Sequence, residues 1–100
     1  MSSSISNIAG SALQAFSKSQ QATAYNISNL NTDGFKASKA TFQENSGGGG
    51  VSATVTSTQD SVDISSEAVN LLLNAAGFKA NVNVLKTEDE MSKVLLSIKA

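Results

Sequence analysis

Three acidic residues, Asp60, Asp63 and Glu67, are the closest that this chain comes to a catalytic or metal-binding cluster. General acid and base catalysis by paired carboxylates needs one of them held neutral in a dry pocket, whereas these three belong to a serine-rich segment at a predicted helix start. Their spacing also lacks the glycine and the twelve-residue frame of a calcium-binding loop. Because negative charge stabilises the first turn of a helix, we interpret the cluster as helix-end electrostatics and predict no catalytic residue and no metal site.

The composition removes most other routes to enzymatic chemistry. The chain contains neither histidine nor cysteine, so it lacks the usual general base near neutral pH, the common zinc ligands and any disulfide. The glycines at positions 47–50 lack the Gly-Lys-Ser/Thr ending of a phosphate-binding loop, and a strand-like pattern follows them instead of a helix. We therefore predict a chain that is not an enzyme and that binds no cofactor.

Charge and hydropathy argue against nucleic acid and lipid as partners. Seven lysines, no arginine and eight acidic residues leave a formal net charge of -1, which offers little attraction to a phosphate backbone. The longest apolar clusters, Leu71–Leu73 and Val94–Leu96, fall far short of the roughly 20 residues that span a bilayer, so we predict no direct membrane insertion. The first residues, Met1–Asn7, lack the basic start and the apolar run of a secretory signal, and we expect either a cytoplasmic protein or export by another route.

Small and apolar residues recur at helical spacing through the first third of the chain and predict a helix from Ser4 to Asn31. The apolar stripe of this predicted helix consists of Ile5, Ile8, Ala9, Ala12, Ala15, Phe16, Ala22, Ile27 and Leu30. Ser3 or Ser4 is the predicted N-cap, and Asn31 and Gly34 are residue types that tolerate a left-handed backbone at a helix end. Because much of this stripe is alanine, its burial contributes little to the stability of the helix, and the helix needs a partner.

The middle of the chain has the pattern of a short β-hairpin. Residues 35–43 and 51–58 are predicted strands, and the second alternates valine and alanine with serine and threonine. The four glycines between them are predicted to form a flexible connector. Because an isolated two-stranded hairpin is marginal in water, we expect this one to pack on the adjoining helices or on another subunit.

The last third of the chain carries the strongest helical periodicity and predicts a long helix. Its apolar positions are Val69, Leu72, Leu73, Ala76, Ala80, Val84, Leu85, Met91, Val94, Leu95 and Ile98. Ser65 or Ser66 is the predicted N-cap, with Glu67 in the first turn. A glycine inside a helix costs about 1 kcal/mol relative to alanine, so we expect Gly77 to mark a close contact or a slight bend.

These elements predict a mainly α fold in which two long antiparallel helices form a coiled-coil hairpin joined by a small β-hairpin region. The predicted segments of this single structural domain are residues 1–34, 35–60 and 61–100. Two long helices cannot cover both of their apolar stripes by pairing with each other, so the surplus surface predicts oligomerisation. The predicted packing residues are Ile5, Ile8, Ala12, Phe16, Leu30, Leu72, Leu73, Leu85, Met91, Leu95 and Ile98.

Two stretches resemble one known family. Residues 26–36, Asn-Ile-Ser-Asn-Leu-Asn-Thr-Asp-Gly-Phe-Lys, closely resemble the signature near the N-terminus of bacterial flagellar rod and hook proteins. Residues 62–91 are similar to the C-terminal segment of the same family, with Phe-Lys-Ala-Asn at 78–81 and Thr-Glu-Asp-Glu-Met at 87–91. The residues that match the family motifs are Asn26, Asn29, Asn31, Thr32, Gly34, Phe35, Phe78, Asn81, Thr87, Asp89 and Met91.

The resemblance implies a structural subunit of the flagellar basal-body rod that polymerises through its terminal helices and serves motility. It implies as partners other copies of the chain, other rod and hook axial proteins, and the flagellar type III export apparatus, which would carry it to the periplasm-spanning rod without a cleaved signal peptide. Asparagine has poor helix propensity, so we expect Asn26 and Asn81 to form specific buried or inter-subunit hydrogen bonds.

Three alternatives remain open at this point. Hook and distal-rod proteins usually carry a globular insert between their terminal segments, so the short middle region resembles the small proximal-rod type. A chain from which the middle has been removed is the second alternative, since four glycines would suit such a splice. The third is a coiled-coil interaction or adaptor protein of another secretion system, which would share the helical hairpin.

Overall fold

The structure is a computed structural model that describes the backbone of residues 2–99 and the side chains of residues 5–98. In chain order the elements are α1 (Ser2–Ser28), β1 (Ser38–Glu44), a short 3-10 turn (Ser46–Gly48), β2 (Val51–Ser57) and α2 (Ile64–Lys99). The prediction of a mainly helical fold, with two long helices and a small antiparallel sheet between them, is confirmed.

Both ends of α1 differ from the prediction. The helix begins at Ser2, so Ser3 and Ser4 lie inside its first turn and do not cap it. It ends at Ser28, after which the chain tightens into consecutive turns, with the Thr32 amide donating to the Asn29 carbonyl at 3.0 Å. Among residues 2–99 only glycines have a positive φ. Of the two residue types that tolerate a left-handed backbone at this helix end, Gly34 takes that conformation, with a φ of 74°, and Asn31 does not.

The strands form one antiparallel hairpin that is pinned to α1. They pair in register from Ser38 opposite Ser57 to Glu44 opposite Val51, and β1 therefore begins three residues later than predicted. The hairpin turn packs closely on α1, because the Val51 amide donates to Ser11 Oγ at 3.0 Å and a side chain at Gly50, whose φ is 92°, would overlap Ser11. The glycine run, predicted as a flexible connector, thus adopts a defined turn.

The N-cap of α2 is Asp63, and the prediction of Ser65 or Ser66 was wrong. Asp63 Oδ1 accepts hydrogen bonds from the amides of Ser65 at 3.0 Å and Ser66 at 3.4 Å. A carboxylate in this position satisfies two helix amides and also interacts favourably with the helix dipole. This confirms the electrostatic interpretation for one member of the acidic cluster, since Asp63 is fully engaged in the start of the helix.

The two helices run antiparallel in a single register. Ser6 Oγ donates to Glu88 Oε2, Asn74 Nδ2 donates to Gln20 Oε1 at 3.0 Å, and Asn26 Nδ2 donates to Glu67 Oε1 at 3.0 Å. The residue numbers of each pair have nearly the same sum, as an antiparallel pair without slippage requires. The same register places the end of α2, residues 93–98, beyond Ser2, the first described residue of α1.

The molecule is a flat rod with extents of 64 × 25 × 14 Å and a radius of gyration of 17.3 Å. A compact chain of the same length would have a radius of gyration of about 13 Å. The accessible surface is 6926 Å², compared with about 5,400 Å² for a compact monomer of this mass. The chain therefore exposes about 1,500 Å² that a compact protein of its size would bury.

Candidate assembly surface

The most buried side chains at the contact between the helices are small or polar, and we call this contact the polar seam. Among the described side chains of α2, only Glu67 and Asn74 are buried. On α1 the buried positions are Ala9, Ala15, Ser19, Ala22, Thr23 and Asn26, of which Ala15 also borders Val51 and Ala53 of the hairpin. Leu71 and Leu85, on the side of α2 that carries Glu67 and Asn74, are half-buried. Burial of small and polar residues contributes little hydrophobic stabilisation, so the polar seam sets the register through hydrogen bonds more than it contributes affinity.

Asn26 joins three elements at one end of the polar seam. Its side chain is 1% exposed, and its Nδ2 donates to the Ser38 carbonyl at 2.8 Å and to Glu67 Oε1. Its Oδ1 accepts from the Ser38 amide at 2.8 Å. Asn26 therefore extends the ladder at the start of β1 and also satisfies a buried carboxylate on α2. This geometry explains why a residue of poor helix propensity stands here.

A glycine and two aromatic rings form the middle of the pair. A side chain at Gly77 would overlap the ring of Phe16, which confirms that Gly77 marks a close contact. The same Phe16 ring meets Phe42 of β1 edge-on, with centroids 5.1 Å apart. Phe16 thus lies between α2 on one side and the hairpin on the other, and it links the three elements at their centre.

The motif that follows α1 forms a capped turn. Asn29 Nδ2 donates to the Tyr25 carbonyl at 3.0 Å, and Thr32 Oγ1 donates to Asn29 Oδ1 at 3.1 Å. Phe35 packs edge-on against Tyr25 with ring centroids 5.4 Å apart. Asn31 is exposed. These contacts satisfy the helix end and direct the chain into β1.

The residues of the second motif lie on different faces of α2. Asn81, half-buried at the polar seam, donates from Nδ2 to the Gly77 carbonyl at 2.8 Å, one turn back in its own helix. Phe78 is 41% exposed. Asp89 pairs with Lys93 at 3.1 Å on an exposed face, which contributes little to stability. The structure therefore does not bring the two motifs together into one site.

The largest apolar surface is the outward face of α2, which we call the outer stripe. It consists of Val69, Leu72, Leu73, Ala76, Ala80, Val84, Thr87, Met91, Val94, Leu95 and Ile98, all of them exposed. At 100° per residue, the centre of this stripe lies about 130° around the helix from the polar seam. Exposure reaches 73% at Leu72 and 76% at Ile98, so the residues with the strongest hydrophobic periodicity face solvent in the single chain.

Two grooves flank the C-terminal half of the outer stripe. The larger has a volume of 520 Å³ and is lined by Ile5 of α1 together with Ala80, Val84, Met91 and Leu95 of α2, among others. The second, of 360 Å³, lies between Thr87 and Leu95 on the other side of Met91. Apolar grooves beside an apolar ridge can receive the side chains of another helix, and this is the chemistry that the surface offers.

The predicted packing residues fall into two groups. Ala12, Phe16 and Leu85 are half-buried between elements of the chain. Ile5, Ile8, Leu30, Leu72, Leu73, Met91, Leu95 and Ile98 are exposed. Their role in subunit contacts stays a prediction. Sequence reasoning missed Ser11, Gln20, Phe42 and Asn74, and of these only Asn74, a poor helix former inside a helix, carried a signal.

No helix within residues 2–99 combines the length and the apolar character needed to cross a membrane. In the same part of the chain, no three acidic side chains come together as a group that could bind a metal ion.

Comparison with protein families matches both halves of the chain. The family model described as flagella basal body rod protein matches residues 7–36, which include most of α1 and the turn after it. The model described as flagellar basal body rod FlgEFG protein C-terminal matches residues 58–98, which include all of α2 except its last residue. A comparison with individually curated proteins finds no match. Because the two models cover most of the chain in the order that the resemblance predicts, the chain belongs to the flagellar basal body rod protein family.

Proposed function

We propose that this chain is a structural, non-catalytic subunit of the flagellar rod and that it polymerises through its two terminal helices. The observation that supports this most strongly is the outer stripe, which stays exposed along the whole of α2 while α1 covers only the polar seam. An exposed apolar surface of this size marks a place where another protein binds. The partners are other copies of the chain and other rod and hook axial proteins.

The exposed area is large enough for contacts with more than one neighbouring subunit. The surplus of about 1,500 Å² over a compact monomer is close to twice the roughly 800 Å² that one partner contributes to a standard protein interface. A subunit inside a tube has neighbours on at least two sides, and a continuous stripe on a long helix suits coiled-coil packing between such neighbours. We therefore assign the exposed packing residues of both helices to subunit contacts in the rod.

Location and export follow from the same proposal. A rod subunit acts in the basal body and reaches it through the flagellar type III apparatus, without a cleaved signal peptide. The weak hydrophobic content of the polar seam fits this route, because a hairpin held by hydrogen bonds and alanines opens more readily than a leucine-rich core.

The experiment compares two valines that lie on different faces of α2. Val84 belongs to the outer stripe and is 44% exposed, whereas Val82 points away from it and is 41% exposed. Asp replaces each valine in turn, in a strain that lacks the native gene. We expect Val84→Asp to abolish swimming and rod completion, because a carboxylate would be buried in an apolar contact, and we expect Val82→Asp to swim normally.

The two variants also separate this proposal from the adaptor function. An adaptor of another secretion system would use the same stripe, but its deletion would leave flagella intact. Equal swimming of the Val84→Asp strain and the unmodified strain, with both proteins present in equal amounts, would contradict the proposed function.

A further inference from the structure

We propose that two free copies of this chain pair through their outer stripes, with the two α2 helices antiparallel, before rod partners take that surface. The inference rests on the proposed function, because it takes the outer stripe to be an assembly surface. It adds that a second copy, in a stated direction, is the first partner to bind this surface. Rod partners then have to displace that copy during assembly.

The sizes of the side chains along the outer stripe favour the antiparallel direction. With the two-fold axis near Leu85 and Lys86, each small residue of one helix lies opposite a large residue of the other. The opposed pairs are Ala76 with Leu95, Ala80 with Met91, Leu73 with Ile98, and Val84 with Thr87. In the parallel direction Ala80 would face Ala80 and Met91 would face Met91, which leaves gaps at one end and crowding at the other.

The charges beside the outer stripe favour the same direction. Lys79 and Glu90 lie on the same flank of the stripe, about 80–100° from its centre. In an antiparallel pair equal flanks meet, so Lys79 of each copy comes beside Glu90 of the other, twice across the axis. Flanking charges of this kind select the partner and the orientation in helix pairs.

The rest of the molecule leaves the outer stripe open and offers no comparable cover. The hairpin packs on α1 through Ser11 and Phe16, away from the stripe. The outward face of α1 is polar through the middle of the helix, with Gln14, Ser17, Lys18 and Gln21 exposed, and its exposed apolar residues, such as Ile5 and Tyr25, lie toward the two ends. The outer stripe of a second copy is therefore the longest apolar surface that this chain can supply, and the grooves beside Ala80 and Met91 can receive its larger side chains.

Cysteine cross-linking tests the direction directly, because the chain has no cysteine of its own. We would prepare Ala76→Cys and Leu95→Cys as separate full-length proteins and oxidise each alone and the two mixed. In the antiparallel pair, two copies of position 76 are about 28 Å apart, far beyond the reach of a disulfide, while positions 76 and 95 are neighbours. We expect the mixture to give at least about ten times more cross-linked dimer than either protein alone.

Other outcomes overturn the inference. Efficient cross-linking of each protein with itself would show a parallel pair. If none of the three samples cross-linked while circular dichroism showed intact helices, free copies would not pair.

A charge exchange gives a second test that leaves the stripe untouched. Lys79→Glu and Glu90→Lys should each raise the dimer dissociation constant about fivefold, and the double variant should restore it; a double variant as weak as the singles would contradict the pairing.

The results distinguish this inference from the proposed function. If Val84→Asp blocks rod assembly and the mixture gives no cross-link, the antiparallel pair is wrong and the proposed function stands. If the mixture cross-links and the Val84→Asp strain swims normally, the pair is real and the outer stripe is not a rod contact.

Discussion

Replacing Asn26 with alanine should lower the free energy of unfolding by about 3 kcal/mol or more. The substitution leaves the amide and carbonyl of Ser38 and the carboxylate of Glu67 without the partner that each has now. A buried polar group that loses its hydrogen bond costs about 1–3 kcal/mol, and a charged group costs more. In a domain of this size the melting temperature should fall by at least about 10 °C, which thermal unfolding followed by circular dichroism would measure.

Asn31→Ala is the matched control for this change. Asn31 belongs to the same motif but is exposed, so its replacement should alter the free energy of unfolding by less than about 0.5 kcal/mol. If Asn26→Ala and Asn31→Ala unfolded at the same temperature, Asn26 would not be the joint between α1, β1 and α2 that its hydrogen bonds indicate.

Replacing Gly77 with valine should destabilise the chain by about 2–3 kcal/mol, although glycine is itself unfavourable in a helix. The new side chain would overlap the Phe16 ring, which cannot retreat freely because Phe42 lies behind it. The helices would have to separate at the centre of the polar seam. Urea unfolding of the purified protein would measure the loss.

Ala75→Val controls for the cost of a β-branched residue in α2, since Ala75 is exposed and two residues away from Gly77. It should cost less than about 1 kcal/mol. Combining Gly77→Val with Phe16→Ala should recover part of the loss, because residues in contact are not additive. Fully additive effects of these two changes would show that the Phe16 ring and Gly77 do not limit the approach of the helices.

The elements were predictable because they depend on local patterns. Periodic apolar residues identified both helices, and the alternation after Val51 identified a strand. The cap of α2 was harder to predict, because Asp63, Ser65 and Ser66 are all good N-cap residues and only the geometry chooses among them. Ser11 had no local signal at all, since its role depends on contact with Gly50 from a distant part of the chain.

Periodicity alone could not predict which face of α2 contacts α1 and which face is exposed to solvent. An apolar stripe shows that a face becomes buried, but it does not show whether the cover comes from the same chain or from a neighbour. Here the face toward α1 alternates Leu71 and Leu85 with Asn74 and Asn81, so its hydrophobic signal is interrupted, and the longer signal belongs to the outer stripe. Under the proposed function, the polar seam sets the register of the helices and the outer stripe provides the affinity between subunits.

Hydrogen-bonded polar contacts specify one arrangement with modest net stability, so we expect the helical hairpin of the isolated subunit to be defined but weakly held. In the proposed rod, other subunits cover the larger apolar surface, and we therefore expect stability to increase with assembly.

Thiol labelling at positions 82 and 84 would show directly whether the outer stripe is buried by assembly. Val82→Cys and Val84→Cys place a single cysteine off the stripe and on it, in a chain with no other thiol. In dilute free subunit both should react with a maleimide at similar rates. In isolated rods, position 84 should react at least about tenfold more slowly than position 82, because a buried thiol must wait for local opening; equal labelling of the two positions in rods would contradict burial of the outer stripe.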